Sequence, residues 1–128
     1  MPDNCAHHSA SVLGGSVYIV GAGNDHGVLC FDLTSEVWSN LSPTSVTREY
    51  GASFVACGFL YAVGGLGSQS SMERYNVATD TWTAVADMNR GRDTFGAVAI
   101  GSAAPAEKQD LFDARIAKVE VRACEVQL

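Results

Sequence analysis

Phe59-Leu60-Tyr61-Ala62-Val63-Gly64-Gly65, followed by Met72-Glu73-Arg74-Tyr75-Asn76 and then Ala78-Thr79-Asp80-Thr81-Trp82, decides how the chain is read. An apolar alternating run closes on a glycine pair, a second run ends in tyrosine, and a polar turn leads to a third run opening on tryptophan. Runs of this length, bounded by glycine and polar turns, are short strands. The same order has already appeared once, as Ser16-Val17-Tyr18-Ile19-Val20-Gly21-Ala22-Gly23, Val28-Leu29-Cys30-Phe31-Asp32 and Glu36-Val37-Trp38. Such self-similarity governs every later inference.

Tyr18 and Tyr61 are 43 positions apart, as are Gly21 and Gly64, whereas Phe31 to Tyr75 and Trp38 to Trp82 are each 44. One residue has entered between the second and third strands of the later copy. Glycine at a strand end supplies positive φ or lets another backbone approach, so Gly21, Gly23, Gly64 and Gly65 mark a turn that both units need. Phe31, Trp38, Tyr75 and Trp82 read as packing residues, since aromatic side chains bury large area. A further match sets residues 1–14 against 88–101 at a constant spacing of 87, so the chain reads as opening inside a repeat, as a piece of a longer protein would.

This ordered set of strand, glycine pair, aromatic, turn and tryptophan resembles the Kelch repeat, whose fold is a blade of a β-propeller. The resemblance covers residues 1–101, and its style is nearest to the animal BTB-Kelch adaptors. The second copy carries Gly64-Gly65, Tyr75 and Trp82 in place; the first has Gly21-Ala22-Gly23 for the pair and Phe31 for tyrosine. It implies an all-β fold, a partial propeller of two four-stranded antiparallel blades plus the start of a third. Blade one is expected over about 7–41, blade two over about 50–85, and the first strand of blade three over about 95–100. Strands are placed near 8–13, 16–21, 28–32, 37–41, 50–56, 59–64, 71–76 and 81–85, with Gly14-Gly15 and Cys57-Gly58 as hairpin turns. Residues 102–128 depart from the pattern: Pro105 and the Ala, Glu, Lys and Gln that follow favour a helix over about 105–117. Beyond it, Val119 and Val121 alternate with charged residues as in a strand.

With 128 residues the chain has the length of one domain, but propellers close with about four to eight blades. Two blades imply a piece of a longer ring, several copies closing one, or a chain of only marginal stability, so a homo-oligomer is among the expectations. Hydrophobic residues make up 47% of the sequence and charged ones 17%, with a formal net charge of -6. That balance argues against nucleic acid, which needs clustered Lys and Arg. No apolar run reaches the ~18 residues of a membrane span, and no basic-then-apolar export signal opens the chain. Cytoplasmic residence and reduced cysteines follow as expectations.

Nothing in the sequence marks catalysis, a cofactor or a metal. His7, His8 and His26 are the three histidines, and adjacent residues on a strand point to opposite faces. The glycine runs open no helix and lack the P-loop pattern. Asp80 sits in a turn, where a side chain that caps its own backbone is the ordinary role. Binding is the better reading, because propeller loops held by a rigid scaffold carry recognition. By resemblance, Kelch domains grip protein segments there. The positions expected on that face are Asn24, His26 and Ser68 in the loops, with Arg48, Tyr50 and Arg92 in the segments leading into each blade. Arginine suits bidentate capture of a carboxylate, although Arg48 and Arg92 equally suit pairing with Glu49, Asp93 or the carboxylates of a neighbouring blade. The resemblance implies a non-enzymatic interaction module that holds an acidic or polar segment, with a ubiquitin-ligase substrate adaptor as the fuller role. The rivals are a fragment of a sugar-acting Kelch-type enzyme and a self-assembling partial propeller.

Overall fold

The computed structural model describes residues 5–22, 27–66 and 69–100. Eight strands follow in order: β1 Ser9–Leu13, β2 Ser16–Ala22, β3 Gly27–Asp32, β4 Trp38–Leu41, β5 Ala52–Ala56, β6 Phe59–Val63, β7 Met72–Asn76 and β8 Thr81–Ala84. They form two four-stranded antiparallel sheets, β1-β2-β3-β4 and β5-β6-β7-β8, each strand beside its neighbour in sequence. The described part is all-β and two-bladed, as the repeat implied.

Register repeats along with the sequence. Ser11 faces Tyr18 in the first sheet and Phe54 faces Tyr61 in the second, while Phe31 opposite Trp38 recurs as Tyr75 opposite Trp82. Those two aromatic pairs sit at centroid separations of 4.9 and 5.0 Å, the tilted geometry that ring quadrupoles favour. Both first hairpins turn on two residues of positive φ, Gly14-Gly15 (57° and 80°) and Cys57-Gly58 (50° and 78°). That is the I′ geometry, whose twist matches the flanking strands.

Strand alternation gives each sheet two usable faces. Tyr18, Val20 and Val28 of blade one meet Leu60, Ala62 and Tyr75 of blade two in one buried core, and the Ser11 and Ser53 hydroxyls touch across the seam at 2.8 Å. Fully burying an aliphatic or aromatic side chain stabilises by about 1.5–3 kcal/mol, so this seam holds the blades together. The far face of blade two, built from Phe54, Tyr61, Val63 and Met72, is covered by Met88, Phe95, Ala97 and Ala99.

Two expectations need correction. Asp80 does not cap its own turn: Asn76 does, accepting from the Ala78 amide at 2.9 Å, as Asp32 accepts from Thr34 and Ser35 one unit earlier. The Asp80 carboxylate instead accepts from the Ser42 amide and hydroxyl, both at 2.9 Å, and from the Tyr75 hydroxyl at 2.6 Å. With Trp82 Nε1 donating to the Ser42 carbonyl at 2.8 Å, the end of blade one is tied to a turn of blade two. The hydrogen bond from Tyr75, then those from Ser42, hold the Asp80 carboxyl below its ordinary range. Burial, followed by the bond to Asp80, pushes the Tyr75 phenol far up.

The second correction concerns residues 95–100, which carry no strand ladder. Their side chains still alternate, with Phe95, Ala97 and Ala99 half-buried and Gly96, Val98 and Ile100 exposed. Period two is therefore present without pairing among the described residues. The expected helix and strand of 102–128 lie outside the described residues.

Candidate protein-interaction face

His7 and Tyr50 stand just ahead of β1 and β5, Thr94 holds the matching place ahead of residues 95–100, and all three have left-handed backbone (φ 57°, 60° and 55°). That region is disfavoured for L-residues and unusual for a β-branched threonine. A row of backbone hydrogen bonds holds them there. The Tyr50 amide donates to the His7 carbonyl at 2.9 Å, and the Thr94 amide donates to the Tyr50 carbonyl at 2.7 Å. The His7 ring lies on the Tyr50 ring, with centroids 4.1 Å apart and planes 24° from parallel. With His8, Gly51, Phe95 and Gly96 they line an open, solvent-facing cavity of about 340 Å³. None of those seven lining residues is Asp, Glu, Lys or Arg.

The neighbouring loop is pinned between two of these lead-in segments. Gly65 donates to the Arg92 carbonyl and Leu66 to the Glu49 carbonyl, both at 3.0 Å. From the other side, Arg92 donates its amide to the Gln69 carbonyl at 2.8 Å, and Gln69 Nε2 donates to Asp93 Oδ2 at 2.6 Å. The purpose of the glycines is visible here. A Cβ on Gly64 would lie 2.6 Å from the Arg92 carbonyl oxygen and 2.7 Å from Cε1 of Phe95, and one on Gly21 would lie 2.9 Å from the Arg48 carbonyl oxygen. The strand-end glycine lets the next unit's lead-in backbone pass.

Of the expected binding residues, Tyr50 reaches the rim. Arg48 does not: at 1% exposure its Nη2 donates to Glu73 Oε2 at 2.6 Å and its Nη1 to the Gly64 and Ser71 carbonyls at 2.9 and 3.0 Å. Its guanidinium is consumed inside blade two, where Glu73 is 3% exposed and also accepts from the Ser45 amide at 3.0 Å. The carboxylate is thus neither Glu49 nor Asp93. A buried cation needs a partner, and β7 supplies it. Arg92 is half-buried and fixes the loop through its backbone. Asn24, His26, Ser68 and the marker Gly23 lie outside the described residues. Residue type alone does not mark His7, His8, Thr94 and Phe95 for binding, although the 87-residue match pairs His7 with Thr94.

Among the described residues no three His, Cys, Asp or Glu side chains converge as metal ligands, and no helix is long and apolar enough to cross a membrane. Residues 50–89, which span the lead-in, all four strands of blade two and the exit as far as Asn89, match the family model of the Kelch motif. The match marks blade two as a Kelch motif, and the same four-stranded unit lies beside that segment in residues 9–41.

Proposed function

We propose that the chain is a non-enzymatic protein-binding module that captures a segment of another protein at the cavity ringed by His7, Tyr50, Thr94 and Phe95. The Kelch motif suggests a propeller module for protein interaction, and the carrying observation is that this rim is built before any partner arrives. Left-handed residues held by interblade hydrogen bonds keep the rings in place, so little ordering entropy is left to lose on binding. The fuller reading, by family resemblance, is an adaptor that presents its captured protein to a ubiquitin ligase in the cytoplasm.

Panning a library of random peptides displayed on phage against the immobilised chain tests the capture. Peptides should enrich, and titrating one into the isotope-labelled protein should shift the amide signals of residues 7–8, 50–51 and 94–96. Shifts confined to the outer strands β4 and β8, or no enrichment at all, would contradict the assignment.

A further inference from the structure

We infer that this cavity selects an aromatic anchor side chain on the captured segment rather than a carboxylate; the inference rests on the capture reading above. An acidic anchor requires cations or free backbone donors. The rim offers no Lys or Arg, and its side-chain N–H groups are confined to the imidazoles of His7 and His8. The residues lining the cavity carry no fixed charge, and the Tyr50 and Thr94 amides are spent on the His7 and Tyr50 carbonyls. Arg48, the cation whose sequence position suited a carboxylate, is locked to Glu73 and two carbonyls.

Rings are what the rim supplies. His7 and Tyr50 lie stacked among the lining residues, and Phe95, whose ring packs against the blade-two core, also borders it. Aromatic rings pair best in offset or edge-to-face arrangements, with centroids about 4.5–7 Å apart, and a wall of rings offers both. A volume of about 340 Å³ lies at the small end of ligand-sized cavities. It suits one planar side chain, while the flanking residues of the segment rest on the outer loops. Solitary aromatic anchors of this kind dominate binding at many interfaces.

The test uses the peptides enriched by panning and the variant Tyr50→Asn, which removes the ring while keeping a residue that tolerates left-handed backbone. Enriched peptides should share a Phe, Tyr or Trp, and changing that residue to Glu should abolish binding. Tyr50→Asn should weaken Kd by about tenfold or more, with the thermal midpoint of the protein nearly unchanged. Affinity should also hold between low and high salt, because no ion pair is made. Enriched peptides that share Asp or Glu and weaken steeply with salt would overturn the anchor and leave the capture reading standing. An unchanged Kd in Tyr50→Asn would do the same. Failure of any peptide to enrich would remove both.

Discussion

Glu73→Leu should cost about 3–5 kcal/mol of stability, the loss typical when one member of a buried ion pair is removed and the other charge is left behind. Arg48 is 1% exposed and cannot recover water without opening the blade. The protein contains its own control. Cys5 stands 43 positions before Arg48, and Leu29 stands 44 before Glu73. There Cys5 packs against the core of Ile19, Ala22 and Leu29, so the unit folds with an apolar pair at this place. The double variant Arg48→Met/Glu73→Leu should therefore cost less than Glu73→Leu alone, about 1–3 kcal/mol, mostly for the Gly64 carbonyl that loses its donor. Denaturant unfolding of the parent, Arg48→Met, Glu73→Leu and the double variant closes the cycle. A double variant as unstable as the sum of its single variants would show that the pair is not the unit described here.

Gly64→Ala should be the next most damaging change, at about 3 kcal/mol or more, because two penalties add. Left-handed backbone costs an L-residue about 1–2 kcal/mol, and the new Cβ would press on the Arg92 carbonyl oxygen at 2.6 Å, a backbone atom with little freedom to yield. Gly14→Ala separates these terms, since Gly14 has φ of 57° and nothing within 4 Å of the added carbon; it should cost about 1 kcal/mol. Thermal or urea unfolding of the two variants reads the difference. Because Arg92 and Phe95 must shift in Gly64→Ala, that variant should also lose peptide capture, whereas Gly14→Ala should retain it.

The strand plan was legible because it is periodic: glycine pairs, alternation and the recurring tryptophan place all eight strands to within two residues of their ends. Side-chain fates are not periodic. Arg48 and Tyr50 look alike as lead-in residues, yet one is buried and the other forms the rim. The clue was Glu73, an acid on a strand face whose counterpart in the first unit is Leu29, and it becomes intelligible only when both strands are set in register. Asp80 was misassigned for a similar reason, as its partner Ser42 is 38 positions away. The rim itself depends on three residues that share no chemistry. His7, Tyr50 and Thr94 have a common backbone conformation, and repeat spacing, not residue type, reveals it. Residues 95–100 show the limit in the other direction, since alternation sets faces but a ladder needs a second strand.

The seam and the shared rim both require the two sheets to lie side by side with their first strands adjacent. Proton NMR measures this through cross-blade nuclear Overhauser effects. Contacts are expected between the Tyr18 and Tyr75 rings, whose centroids are 6.2 Å apart, and between the side chains of Ser11 and Ser53. A spectrum showing every within-sheet contact and neither of these would mean separate sheets, with no seam and no shared rim.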